Sequence, residues 1–430
     1  MQLKDFLPRT LVRKIRPFFR KLWVRVVIMG LMSVVALVFT QIVGHYIPQE
    51  WARSVDGESA DRLLLIIANA MLAVTTFSIT VMVSVRRATS SQWTPRVHRL
   101  IVQDRTTQNV LAVFIGAYVY ALTAIIMRET GIFKDDSAFV LFCMTVLVLA
   151  VIVVYLVRWV LHLQSFGSLI DTAREVENTA LIQFTERLEN PCLGANALCE
   201  DAPDDAHVIL ASESGYVQHI LPEALNETAN DYDVDVYFLQ NIGSFVFLGE
   251  PLIAVTGPQE AKDSDDLADD LRKNIIIGDV RTFDQDPRFG LIVMAEIGSK
   301  ALSPGINDPG TAIDVITRMG RILSAYKDET ASSPDISLDR LYVSPLDPGD
   351  LLEDCFAALS RDGALMVEVQ QHLQKVLSGL MEHPDKGIRS AAKDRAIIEL
   401  RRAREKMRFE PDAERVAGAA HTDVREAVDQ

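Results

Sequence analysis

Four long apolar runs within the first 165 residues constrain this chain more than any other feature. They extend from Leu22 to Ile47, Arg62 to Val85, Val110 to Met127 and Ala138 to Leu161. A helix needs roughly 20 residues to cross the hydrocarbon of a bilayer, and each run is of that order. Four transmembrane helices are therefore expected over residues 22–165, with the lipid bilayer as their solvent. The first run is too long for a signal peptide and no small-residue cleavage site follows it, so it reads as a retained span.

Charge sets the expected orientation. Residues 1–25 carry eight Lys and Arg against Asp5 alone, and the connection from Arg86 to Asn109 carries five Arg against Asp104. The other two connections are acidic or balanced, so the basic ones face the cytoplasm and both termini lie inside. Residues 1–169 hold 18 basic and 9 acidic residues, and the remainder holds 25 and 49. So acidic a remainder lacks the basic stripe that nucleic acid requires.

The second run is the most polar. On a helix, Asn69, Thr76, Thr80 and Arg87 fall within about 20° of one line, with Ser84 beside it and Arg86 at its basic mouth. Small and hydroxylated residues let transmembrane helices pack closely, which is one reading. A wall lining a path for a small ion or solute is the other. In the following loop, Val97, Leu100 and Ile101 suggest an apolar face, with Arg96, Arg99 and Arg105 reaching lipid phosphates and Trp93 at the interface.

Beyond the spans, the pattern predicts a cytoplasmic α+β domain. A helix over Asp171 to Leu188 and a looser stretch fill residues 166–206, after a basic N-terminal segment, 1–21, and the span domain. Short strands follow over 207–257, where Val234, Val236 and Phe238 alternate with polar neighbours as in a half-buried strand. The pairing of "SGYVQHI" with "NIGSFVFLGEPLIAV" resembles half-motifs of barrel-sandwich hybrid domains, with Gly243 and Gly249 at the turns. No Lys lies between Ser212 and Gly257 to carry a lipoyl or biotinyl group, so no cofactor is expected. Residues 258–410 read as mainly helical, including "DSDDLADDLRKNIII", and 411–430 as a frayed polar tail.

Chemistry-bearing motifs are few. The four cysteines lack the paired spacing of a zinc site and the eight histidines are scattered. No P-loop, G-x-S-x-G elbow or G-x-G-x-x-G occurs, so no catalytic constellation and no metal centre is expected. In "KALSPGINDPGTA", Asp308 before Pro309 is a helix-start signal, and Pro304 with Gly305 ends the helix before it. That makes Ser303, Asn307 and Asp308 helix caps. The competing reading joins them to Asp284, Asp286 and Arg288 as a polar pocket for a small ligand or ion.

The segment "DQDPRFGLIVMAEIGSKALSPGINDPGTAIDVI" resembles the signature of the uncharacterised bacterial membrane-protein family catalogued as domain of unknown function 2254. "SSQWTPRVHRLIVQDRTTQNVLAVFIGAYVY" and the "SGYVQHI" pairing are similar to its other segments. The resemblance implies a multi-span inner-membrane protein with a cytoplasmic domain and supplies no reaction. Two functions follow as expectations. One is a homo-oligomeric channel or transporter lined by the second span. The other is a membrane-anchored sensor or scaffold whose cytoplasmic domain binds partners.

Overall fold

A computed structural model describes residues 22–44, 57–90, 94–97, 105–131, 138–165, 169–262, 264–330 and 336–430. The basic segment 1–21, Trp93, Arg99, Leu100 and Ile101 lie outside the described residues, as does the side chain of Arg86. The chain divides into two compact units, the first reaching Asp171 and the second holding Gln92–Val97 and Thr172–Gln430.

The first unit holds four helices: α1 (Leu22–Gly44), α2 (Gly57–Ser90), α3 (Arg105–Glu129) and α4 (Ala138–Ser165). Each contains a stretch long and apolar enough to cross a membrane: Trp23–Val43, Glu58–Val85, Thr106–Glu129 and Ala138–Leu163. α3 packs against the other three, and over half of its span is buried. Gly116 allows the closest approach: a Cβ there would lie 3.0 Å from Met29 Cβ of α1. Ser33 Oγ sits 2.8 Å from Met29 O and 3.0 Å from Gly116 O, so one hydroxyl bridges the crossing. Inside, Thr145 donates to Leu141 O, which leaves its oxygen to accept from the wholly buried Tyr120 at 3.2 Å. At one end of the unit Arg128 forks onto Asp61 with two bonds of 2.9 Å. Leu31, Val35, Ile66 and Phe77 point outward, each at least 60% exposed, an outer surface suited to hydrocarbon.

The second unit joins mixed sheets to helices. α5 (Leu169–Glu189) leads through a tight turn, Pro191–Gly194, into β1 (Ala195–Ala197), then β2 (His207–Leu210) and β3 (Gly215–Ile220). α6 (Pro222–Asp231), β4 (Asp235–Phe238), β5 (Phe245–Val246) and β6 (Pro251–Thr256) follow. Next come α7 (Gln259–Lys262), α8 (Asp265–Arg272), β7 (Ile275–Gly278), α9 (Pro287–Ala301), α10 (Pro309–Leu323) and β8 (Leu338–Val343). One sheet runs β1-β8-β4-β6-β2, with β8 parallel to β1 and β4 and the other pairs antiparallel. The second, β5-β3-β7, is antiparallel throughout.

These sheets differ from the expected pattern in three places. β1, β7 and β8 come from outside residues 207–257, β1 and β8 in the five-stranded sheet and β7 in the other. "DLRKNIII" is not one helix: α8 ends at Arg272 and the three isoleucines enter β7. β4 is not half-buried either. Flanked by β8 and β6, it buries Val236, Tyr237 and Phe238 on both faces, with Tyr237 stacked on Tyr342 at 4.5 Å.

The helical half continues with α11 (Pro348–Asp362), α12 (Val367–Leu380), α13 (Lys386–Lys406), α14 (Glu410–Ala419) and α15 (Thr422–Asp429). The tail expected to fray is thus two helices, which bury Val416 and Val424 completely. α5 clamps α9 and α10. A Cβ on Gly290 would fall 2.4 Å from Ala180 Cβ, so only glycine permits that approach. The buried Glu177 accepts from Arg318 at 2.6 Å and from Arg321 Nε at 2.7 Å, and Arg318 also reaches Asp314 at 2.6 Å.

Candidate functional site

Along α2, the residues facing the unit's interior are Ala60, Leu64, Ile67, Ala68 and Met71, followed by Ser78. Asn69, Thr76, Thr80, Ser84 and Arg87 lie on the opposite side and are all exposed. The polar stripe therefore does not mediate packing among the four helices of one chain. Thr76 Oγ1 donates to Leu72 O and Thr80 Oγ1 to Thr76 O, both at 2.9 Å, so these hydroxyls satisfy themselves on their own helix. Asn69 is different, because an amide carries two donors and an acceptor and cannot settle all of them on its own helix. It lies 11 residues from Glu58 and 16 from Val85, about 16 and 24 Å from the span's ends at about 1.5 Å per residue.

Of the face expected after α2, only Arg96 and Val97 have described side chains. Val97 is fully buried, and the Arg96 guanidinium pairs with the Glu296 carboxylate of α9 rather than standing free for a phosphate. Both residues belong to the second unit.

Of the signature residues, Asp286 and Asp308 are helix N-caps, and Ser303 follows the end of α9. Asp286, 1% exposed, is the N-cap of α9 and accepts the Phe289 N–H at 3.0 Å. The same carboxylate receives Arg281 through bonds of 2.6 and 3.1 Å, and the Arg281 guanidinium stands 5.4 Å over the Phe289 ring. Gly243, in the left-handed region at φ +89°, is what leaves room for this pair: a Cβ there would lie 2.1 Å from Asp286 Oδ2. Arg288 turns the other way, to Asp354 at 2.6 Å and to Asp350 at the start of α11. Burial pushes the Asp354 carboxyl up, and Arg288 opposes that rise.

Asp308 caps α10. Its Oδ1 accepts the Thr311 N–H at 3.1 Å and its Oδ2 the Thr311 hydroxyl at 2.6 Å. Asn307 takes the left-handed conformation at φ +50°, and its N–H returns to Ser303 O at 2.8 Å while Asp308 N–H reaches Ala301 O at 2.8 Å. Ser303 Oγ bonds Lys300 O at 2.7 Å. Asp284 and Asn307 are exposed. So the carboxylate of Asp286 goes to Arg281 and that of Asp308 to Thr311. Among the described residues no three of His, Cys, Asp and Glu gather as they would around a metal ion.

Replacing Asp308 with alanine is expected to destabilise the fold by about 1 kcal/mol, the ordinary worth of an N-cap, and asparagine should recover most of it. Urea unfolding measures both. The Thr311 hydroxyl, then its N–H, hold the Asp308 carboxyl below the usual carboxylate range. Its contribution is complete above that range, near pH 4, and fades as pH falls through the lower folded value. The difference between parent and alanine variant should shrink in that acid window.

Sequence reasoning missed Arg281, Gly243, Glu177 and Glu329 as members of buried clusters. Most of the partners lie far along the chain, from Gly243 to Asp286, from Glu177 to Arg318 and from Glu329 to Arg187, while Arg281 is only five residues from Asp286 and no sequence pattern shows that the two meet.

A family model described as "Predicted membrane protein (DUF2254)" matches residues 20–379. "Uncharacterized protein Rv1290c" of Mycobacterium tuberculosis is 28% identical over 375 residues, covering 84% of this chain and 71% of that one. "Uncharacterized protein Mb1321c" of Mycobacterium bovis matches to the same extent, 28% over 375 residues. No solved structure matches the chain.

Proposed function

The chain belongs to the DUF2254 family of predicted membrane proteins, and from that premise we propose that it is a homo-oligomeric inner-membrane channel or transporter for a small ion or solute, with α2 lining the path. One observation carries this reading: Asn69 is exposed deep within a membrane-crossing stretch, on the outside of its own four-helix unit. An amide left in hydrocarbon costs several kcal/mol. Assembly of copies with their α2 stripes turned inward removes that cost and lines the space between them with Asn69, Thr76, Thr80 and Ser84. The interior of one unit offers no such route at the level of Leu64, Phe114, Tyr120 and Leu141, which are packed and fully buried.

Arg86 and Arg87 would then ring the cytoplasmic mouth and favour anions. The basic segments 1–25 and 86–109 support a cytoplasmic placement of both termini and of the second unit. The test is ion flux from liposomes containing the purified chain, beside a Thr76→Trp variant that folds and inserts equally well. Flux from the parent that the indole abolishes is the expected result. No flux from either, with cysteines at positions 69, 76 and 80 inaccessible to water-soluble reagents in the membrane, would leave the spans as an anchor only.

A further inference from the structure

Two features of the β half of the second unit have no part in conduction. The first is apolar. The hairpin between β5 and β6 turns Phe247 and Leu248 into solvent, 60% and 68% exposed, with Phe245 behind them at 43%. Rings of Tyr216, Phe245 and Phe247 meet edge to face in sequence, at 5.0 and 5.1 Å. The tip is firmly held. Leu248 N–H bonds Ser214 Oγ at 2.8 Å, Phe247 N–H bonds Glu250 Oε2 at 2.8 Å and Gly249 N–H bonds Ala211 O at 2.9 Å. Beside it, β2 is the end strand of the five-stranded sheet and turns Val208 and Leu210 outward. Leu210 pairs with Pro251 at the foot of the same hairpin, so strand edge and tip adjoin.

The second feature is charge. Residues 200–279 hold 18 acidic and three basic residues. Two of those bases are already paired, Arg272 with Asp269 and Lys273 with Asp270. Exposed Asp204 leads into β2 and exposed Glu213 flanks the tip, while Asp269 pairs with the Arg272 that donates to Leu210 O. An apolar ledge rimmed by carboxylates is therefore open to solvent.

We propose that this surface binds an extended cationic polypeptide segment of a protein partner, whose apolar side chains lie on Val208, Leu210, Phe247 and Leu248 while its bases meet the acidic rim. Contiguous exposed apolar surface of this kind marks an interaction site, and an end strand accepts extended chain along the part that Arg272, bonded to Leu210 O, leaves open. Charge selects among the occupants. An anionic lipid surface is repelled by the rim, and a second copy of the same face would oppose carboxylate to carboxylate. A basic segment is attracted. The proposal does not rest on conduction, and a failed flux experiment leaves it standing.

The full chain in phosphatidylcholine nanodiscs is titrated with a labelled eight-residue peptide alternating leucine and arginine, read by fluorescence anisotropy against empty discs. The salt is about 0.15 M, which screens exposed charges beyond roughly 8 Å. A second peptide has serine in place of leucine, and a third has glutamate in place of arginine. The expected result is binding of the leucine–arginine peptide, weakened about tenfold by Phe247→Ser with Leu248→Ser, a loss near 1.4 kcal/mol. Both control peptides should bind more weakly than that. These two side chains are exposed, so the variant keeps its fold, checked by circular dichroism. Equal affinity for parent and variant, or equal binding of the serine–arginine peptide, would reduce the effect to charge alone and overturn the proposal. So would absence of binding, or a double variant whose only change is a smaller assembly, which would make the face an interface between copies.

Discussion

Glu329→Ala is expected to cost the second unit about 3–5 kcal/mol, the loss that follows when one partner of a buried ion pair is removed. Glu329 is 3% exposed and its two oxygens accept four hydrogen bonds. Oε1 accepts Arg187 Nε at 2.5 Å and the Cys192 N–H at 2.9 Å, and Oε2 accepts a second Arg187 nitrogen at 3.2 Å and the Leu346 N–H at 2.6 Å. Alanine strands the Arg187 guanidinium, 7% exposed, and two backbone donors at once. It also releases a turn that needs holding. Cys192, Leu193 and Gly194 are consecutive left-handed residues, at φ 49°, 60° and 80°, each non-glycine member costing about 1–2 kcal/mol. Chemical unfolding followed by circular dichroism gives the energy. Thiol labelling gives the location: burial, with the Glu329 charge adding to it, pushes the Cys192 thiol up to about 12, so it should resist maleimide in the parent. In the variant it should label. Replacing both Arg187 and Glu329 by apolar residues of similar size should recover most of the stability, whereas a single change that costs under 1 kcal/mol would refute the assignment.

Gly243→Ala should rank second, at about 3 kcal/mol or more, and Gly249 supplies its control. Both glycines are left-handed, φ +89° and +85°, so both substitutions carry the backbone penalty of about 1–2 kcal/mol. Around Gly249 a new Cβ meets nothing within 4 Å. At Gly243 it would lie 2.1 Å from Asp286 Oδ2 and 2.7 Å from Arg281 Nε, and the buried pair that caps α9 would have to part. The difference between the two variants thus isolates the ion pair from the turn. If alanine at 243 cost no more than alanine at 249, the carboxylate would not be held as described. Combining Gly243→Ala with Asp286→Ala should be markedly less than additive, because both act on the same contact.

What was legible in the sequence was local. The spans declare themselves because lipid demands an unbroken apolar run, and the cap of α10 because Asp308-Pro309 sets backbone shape within two residues. The strands of 207–257 were read as strands, yet the burial of β4 was misjudged, since β8, with Leu341 opposite Val236, pairs beside it from 105 residues on. "LDRLYV" sets two charged residues side by side, so it lacks a strand's alternation, and it has no nearby partner to make it one. The tail reads as polar because each of its two short helices shows only a narrow apolar edge, Val416 on one and Val424 on the other. For the stripe on α2, sequence gave the line of residues, and only the fold decides which way that line faces.

The place of α3 among its neighbours has a consequence for how variation along the chain is felt. From Val110 to Ala124 its residues are largely sealed behind α1, α2 and α4, with Gly116, Tyr120 and Ala121 at the crossings. A helix so enclosed has little surface left to offer a neighbouring molecule, so a change in its middle acts inside a single copy before any partner is met. The outward helices have the opposite freedom. Their exposed positions can drift to suit a different bilayer while the hub that orients them stays the same.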